Sequence, residues 1–167
     1  MRGRTARRGG GRLGRRLGEL GAAGRPLLDP AGSDSTSFDE ALELLLAAGW
    51  RIDAAAMALV PEALELRDEP VPGLAAWQAA AVARIEPWDG PAALVFSDGR
   101  RVGCLLDRNG LRPAAFEVRR DGLVVCGSEA GMLPASPGEV VRRGRLGPGE
   151  LLLVDTVAGR ILEDGAA

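Results

Sequence analysis

The sequence predicts an α+β fold, with helices in the first half and antiparallel strands in the second. Three observations predict it. Between residues 37 and 85 apolar residues recur at three- and four-residue spacing, the period of a helix with one buried face. From Ala92 onward the pattern becomes short apolar runs of strand length. Those runs are separated by Asp-Gly and Asn-Gly turn dipeptides, and no helical stretch stands between them to form the crossover of a parallel βαβ unit.

Taken in order, residues 1–24 are rich in Arg and Gly with little apolar periodicity, so they are expected to be disordered or loosely attached. Clustered arginines neutralise phosphates, but no aromatic residue interleaves with them to stack bases, and nucleic acid is not an expected partner. The segment reads better as a remnant of the upstream part of a domain whose body is 25–167. Ser37-Phe38-Asp39-Glu40 has the form of a capping box. Phe38, Leu42, Leu45 and Leu46 then share one helical face, and Gly49 stands where a helix ends. Asp53 can cap a second helix running to about Leu59, and Pro61 can open a turn into Leu66. Asp68–Gly73 reads as a Pro-rich linker. Leu74, Trp77, Ala81, Val82 and Ile85 mark a third helix, ended by Pro87.

Among the strands, Ala92–Phe96 and Arg101–Leu106 flank a hairpin turn at Ser97–Arg100. Ala114–Val118 and Leu123–Gly127 flank Asp121-Gly122. Glu139–Arg143 is expected to pair weakly. Leu151–Asp155 and Arg160–Leu162 flank a turn at Val157–Gly159.

Composition excludes much chemistry. There is no histidine, so neither a Ser-His-Asp nor a Cys-His apparatus can be built, and histidine metal sites go with it. All 21 basic residues are arginine, which removes the phosphate-loop and Schiff-base lysines. Cys104 and Cys126 fit neither a zinc spacing nor a Cys-x-x-Cys; they read as small buried thiols on strands. No metal site is expected. No apolar run approaches the ~20 residues of a spanning helix, and the arginine-rich start lacks the apolar core of a secretory signal. A cytoplasmic protein without membrane contacts is therefore expected. Charge is divided: eight arginines against Glu19 give residues 1–25 a net +7, while thirteen arginines against 22 acids give the remainder −9.

The most informative run is Leu106-Asp107-Arg108-Asn109-Gly110-Leu111-Arg112-Pro113. Asn109-Gly110 is a turn signal, both residues tolerating positive φ, and Pro113 pushes Arg112 toward an extended backbone. Asp107 can accept backbone N–H groups or pair with Arg108 or Arg112. Around this run stand Gly32–Ser35, Leu59–Ala63, Glu86–Ala92, Phe96–Arg100, Gly127–Gly131, Gly144–Glu150 and Val154–Thr156. In this order the set resembles the glutamine amidotransferase (glutaminase) domain of glutamate synthase large subunits, a class II, N-terminal-nucleophile amidotransferase. The resemblance runs from about Pro26 to Asp164. A shorter form of the Asp107–Pro113 and Ser128-Glu129 pattern recurs in other class II amidotransferases, such as amidophosphoribosyltransferase and asparagine synthetase. Leu59–Ala63 and Glu86–Ala92 argue against those. A non-catalytic interaction module derived from the domain is the remaining alternative.

The resemblance implies an αββα N-terminal-nucleophile hydrolase fold, present here in part. It also implies a reaction: an N-terminal cysteine attacks the glutamine amide, its own α-amine acts as base, and an Asn-Gly pair forms the oxyanion hole. The ammonia freed in the family goes to 2-oxoglutarate to make glutamate, on downstream domains that carry FMN and an iron–sulfur cluster. No cofactor is expected in this chain. Asp34 matches the aspartate that binds the substrate α-ammonium, although a carboxylate there can also serve as a helix cap. The nucleophile and the oxyanion pair are missing: Met1 is followed by Arg2, and the single asparagine, Asn109, belongs to another motif. No catalytic residue is therefore assigned. Asp107, Arg108, Asn109, Gly110 and Arg112 are assigned a structural role, a rigid hairpin beside the nucleophile pocket. Ser128 and Glu129 form a turn near the site; as a catalytic acid Glu129 would need a positioned substrate. The chain is expected to be the C-terminal part of the domain, inactive alone, with glutamine, the missing N-terminal half and the synthase domains as partners of the parent enzyme.

Overall fold

The computed structural model describes residues 28–29, 31–66 and 69–162. The arginine-rich segment 1–24, with its expected disorder, lies outside the described residues, as does Asp68 of the linker. The chain divides into two compact units at Asp89/Gly90.

The first unit holds helices α1 (Asp34–Ala47), α2 (Ile52–Leu59) and α3 (Leu74–Val82), with a 3₁₀ turn at Leu64–Leu66 between the last two. Helix α1 starts a turn earlier than the capping box at Ser37 predicts. Ser33 is the N-cap: its backbone is extended, and its hydroxyl accepts the Thr36 N–H at 3.2 Å. Ser37 lies inside the helix and donates to the Ser33 carbonyl at 3.1 Å. Glu40 reaches back to accept the Asp29 N–H at 2.8 Å. The earlier start gives a complete turn ahead of Phe38, which is buried with Ala41, Leu42 and Leu45. At the other end Gly49, with φ +86°, donates to Leu46, and Trp50 donates to Leu45. Those two bonds make a Schellman motif with Gly49 at C′, as its position in the sequence predicts.

Asp53 does not cap α2. Arg51 holds the cap position without a side-chain cap bond, and Asp53, in the first turn, takes the Arg51 guanidinium at 2.6 Å. The helix starts at Ile52, so Asp53 already lies past the cap position. Helix α3 begins after Gly73 and ends at Val82, so Ile85 lies in the following turn rather than on the helix. Ile85 is still buried, its N–H donating to Ala81 at 2.8 Å. Pro87 biases Glu86 toward extended backbone, which keeps the helix from resuming. The segment then turns back within the unit: the Trp88 N–H donates to Leu59, and its ring meets Phe38 edge-on at 5.5 Å.

The second unit is seven strands: β1 (Ala93–Ser97), β2 (Arg101–Leu106), β3 (Ala115–Arg119), β4 (Val124–Gly127), β5 (Val140–Arg145), β6 (Leu151–Asp155) and β7 (Arg160–Leu162). They form two antiparallel sheets, ordered β1-β2-β6-β7 and β4-β3-β5. Strand β5, expected to pair weakly, pairs with the central β3 from Ala115↔Arg145 to Arg119↔Val140, with one register shift. None of its residues is fully buried, so its arginine-rich sequence carries little of the apolar alternation that marks a well-paired strand.

The sheets pack face to face. Cys104, Leu106 and Leu152 of the first meet Phe116 of the second and the neighbouring Ala114, with Val118, Val124, Cys126, Leu146 and Ile161 at the margin. In each sheet a phenylalanine lies across from a glycine: Phe96↔Gly103 and Phe116↔Gly144. A Cβ at either glycine would sit 2.3–2.5 Å from ring atoms, so the absent side chain is what lets the ring lie flat. Among the described residues no helix is long and apolar enough to cross a membrane.

Candidate functional site

Leu106–Pro113 is not the hairpin the sequence predicts. It leaves β2, in one sheet, and enters β3, in the other. Strand β2 already has β1 and β6 on its two edges, so β3 has no edge to pair with there. Within the crossover only Gly110 adopts a positive φ, +61°; Asn109 does not. The turn therefore closes with Gly110 donating to the Asp107 carbonyl at 2.9 Å.

Asp107 organises this crossover. Its side chain is buried, 2% exposed, and its carboxylate accepts main-chain N–H groups from Ala92 at 3.2 Å, Asn109 at 3.1 Å and Leu111 at 3.2 Å. Main-chain bonding, one of the arrangements open to it, is thus present. The Asp107 main chain adds further ties, donating to Ala92 and accepting from Gly149, each at 2.9 Å. Gly110 lies against Pro148, where a Cβ would come within 2.9 Å of Cγ and 3.2 Å of Cα and N. Three sequence motifs thus meet at one buried residue, Asp107: the end of Glu86–Ala92, Leu106–Pro113 and Gly144–Glu150. Asn109 and Arg112 are exposed, and Arg108 is half-buried.

A second pair of motifs meets at Asp155. Arg100 donates to both carboxylate oxygens, with Nη2–Oδ2 at 2.8 Å, and the N–H groups of Val157 and Ala158 complete the shell. Thr156 bonds the Arg100 carbonyl through its hydroxyl at 2.6 Å and its N–H at 3.0 Å. The Arg100 guanidinium first, then the Ala158 N–H, hold the Asp155 carboxyl well below the usual carboxylate range. A carboxyl whose folded pKa is depressed contributes stability above its unfolded pKa, and that contribution is lost as pH falls toward the folded value. Asp155→Asn should therefore melt below the parent chain at pH 7, and the gap should narrow below about pH 4. Thermal melts from pH 7 to pH 2.5 measure this; a gap that does not change with pH would sink the assignment.

Ser128 and Glu129 follow β4 on an exposed bend. The residue that holds this loop is one the sequence reading did not single out. Glu117 is 3% exposed, accepts the Gly131 N–H at 2.7 Å and faces the Arg143 guanidinium at 3.8 Å. Its signal was available: a lone acid inside an apolar strand, opposite an arginine-rich one, with Glu117↔Arg143 in register.

Asp34 belongs to the first unit, as the first residue of α1, and is exposed. The side-chain cap bond comes from Ser33, so the capping role that competes for Asp34 is taken by its neighbour. The other seven site residues are all in the second unit.

Between the two sheets lies a cleft of about 870 Å³, lined mainly by apolar residues, among them Val95, Val124 and Leu152, with Cys104 and Cys126 also on its wall. None of the eight site residues lines it. The thiols, 22 residues apart in sequence, are brought together on facing sheets; Cys104 is buried, whereas Cys126 is only half-buried, a departure from the two buried thiols expected. The neighbouring Cys126 thiol, then burial, raise the Cys104 thiol, and the neighbouring Cys104 thiol lowers Cys126. Both cysteines sit inside strands with their nitrogens in peptide bonds, so neither offers the free α-amine that an N-terminal nucleophile uses as base. An iron–sulfur cluster takes four protein ligands, mostly thiolates, and this chain has two cysteines and no histidine, so its residues do not fit one.

The second unit thus holds two antiparallel sheets joined by the Asp107 crossover. A family model described as "Glutamine amidotransferases class-II" matches residues 12–167, and the chain belongs to that family, with its N-terminal-nucleophile hydrolase fold. The particular relatives are glutamate synthases. The NADH glutamate synthase of Schizosaccharomyces pombe is 45% identical over 150 residues, which is 89% of this chain and 7% of that protein. Ferredoxin-dependent glutamate synthase 2 of Synechocystis sp. is 45% identical over 143 residues, 83% of this chain and 9% of that protein. The chloroplastic ferredoxin-dependent glutamate synthase of Oryza sativa is 44% identical over 145 residues, 84% of this chain and 9% of that protein. The chain spans less than a tenth of the length of each of these relatives. NADH- and ferredoxin-dependent enzymes match equally well, so this region does not distinguish the electron donor.

Proposed function

We propose that this chain serves as the C-terminal part of the glutaminase domain of a cytoplasmic glutamate synthase. In that role it would help hydrolyse glutamine and pass ammonia to 2-oxoglutarate to make glutamate. The observation that carries the reading is the set of ordered motifs around Asp107 and Asp155, which coincides with similarity to glutamate synthases of both donor types. The chain's contribution is scaffold and substrate contact. Asp34, exposed at the positive end of α1, takes the α-ammonium of glutamine. The Asp107 crossover and the Ser128-Glu129 bend shape the surroundings of the pocket. The attacking cysteine and its oxyanion pair come from another segment of the enzyme, as do the domains carrying FMN and the iron–sulfur cluster.

Alone, the chain should be inactive, since Cys104 and Cys126 lack a free α-amine and Asn109 belongs to the crossover. Purified chain incubated with glutamine should release no ammonia above a buffer control. Sustained release, abolished by a substitution within this chain, would overturn the assignment of the nucleophile to another segment.

A further inference from the structure

The thiol pair on the cleft wall is not used by any step above. Cys104 lies in β2 and Cys126 in β4, so the two belong to different sheets and meet across the core. Cys126 packs against the core cluster that holds Cys104, and both are free thiols. Both line the inter-sheet cleft, and Cys126 is the more exposed of the two. Arg142 and Arg160, each exposed, line the same cleft, a setting that favours a thiolate and an anionic visitor.

We propose that Cys104 and Cys126 form a dithiol site that is oxidised to an intrachain, inter-sheet disulfide by a low-molecular-weight disulfide entering the cleft. Cys126, as thiolate, attacks one sulfur of the small disulfide. The incoming S–S bond breaks, a mixed disulfide forms on Cys126, and a small thiolate leaves and takes up a proton. Cys104 then loses its proton and its sulfur attacks Sγ of Cys126. The mixed disulfide breaks, the Cys104–Cys126 bond forms, and a second small thiol departs. Two protein thiols are oxidised and one small disulfide is reduced to two thiols, so atoms and electrons balance. The order follows exposure, Cys126 being half-buried and Cys104 buried. Its lowered pKa also suits Cys126 to the attacking role. The bond would tie β2 to β4 and close a loop containing the whole Leu106–Pro113 crossover.

The test uses the full chain with an excess of oxidised glutathione, read by intact mass and non-reducing peptide mapping. The expected product has lost two hydrogens, carries no glutathione, and yields a peptide pair joined through Cys104 and Cys126. Its melting midpoint should rise by roughly 5–15 °C, because the cross-link restricts the unfolded chain. In Cys104→Ser the reaction should stop at a lasting glutathione adduct on Cys126, and in Cys126→Ser the adduct on Cys104 should form at least tenfold more slowly. A wild-type chain that keeps glutathione on Cys126, forms only dimers between chains, or retains both free thiols would overturn the proposal. These readings come from covalent products and do not depend on glutaminase activity.

Discussion

Asp107→Ala should destabilise the second unit by about 3–4 kcal/mol, the largest effect expected from any one polar residue of the signature run. The carboxylate is buried and accepts three main-chain N–H groups, from Ala92, Asn109 and Leu111. Hydrogen bonds to a charged acceptor contribute about 1.5–3 kcal/mol each. Water can reach Asn109 and Leu111 once the carboxylate is gone, since both residues are exposed, so the full sum is not lost. The Ala92 N–H is the most sheltered donor, and its loss unpins the start of β1 from the crossover. Asp107→Asn keeps one carbonyl oxygen but turns an amide toward N–H donors, so about half the loss should remain. Trp50, Trp77 and Trp88 all lie in the first unit, so the second unit needs a reporter of its own. The change should be followed by hydrogen exchange of the β2 and β6 amides, or by the alkylation rate of the buried Cys104 thiol. Unchanged exchange in Asp107→Ala would remove Asp107 from the centre of the crossover.

The same contacts explain what could be read in advance and what could not. Strand limits were legible because glycine-containing turns punctuate them: Ser97–Arg100, Asp121-Gly122 and Val157–Gly159 all join strands that pair as neighbours. Pairing between distant segments carries no local signal. Cys104↔Leu152 joins strands 48 residues apart, and only the finished sheet shows that β2 has both edges filled. Asn109-Gly110 therefore announced a turn correctly and a hairpin wrongly, since a dipeptide specifies a bend and not the partner beyond it. At α1 several adjacent hydroxyls and acids compete for one cap, and burial of Phe38, not residue type, selects Ser33. For the candidate site, the motif residues could be identified from sequence but their purpose could not. Asp107 was open to main-chain or arginine partners, and only the fold places Ala92 and Gly149 around it and sets Arg100 against Asp155. Glu117 and the thiol pair needed the sheets themselves, because their partners come from other strands.

Packing of the second sheet makes the last prediction a matter of shape alone. Phe116 is buried between the sheets with its ring over Gly144, directly opposite in register, and Arg142 stands 5.2 Å from the ring centroid. A Cβ on Gly144 would lie 2.5 Å from two ring atoms. Gly144 has no left-handed φ to protect, so the cost of alanine there is steric: the ring must leave its place against Leu106 and Cys104. Gly144→Ala should cost about 1–3 kcal/mol, the usual range for overpacking a core. Phe116→Ala should cost about 3–5 kcal/mol through lost burial and the cavity left behind. Combined, the two should fall well short of their sum. Without the ring there is no clash, and alanine is better than glycine in a strand by roughly 0.5–1 kcal/mol. A double-mutant cycle by urea denaturation, followed by far-ultraviolet circular dichroism, should give a coupling energy of about 2–3 kcal/mol in magnitude, as neighbours in contact do. Additivity within about 0.5 kcal/mol, the behaviour of independent sites, would mean that the ring does not need the glycine. The arrangement of Phe116 between the two sheets would then have to be set by its other neighbours, Leu106 and Cys104 foremost.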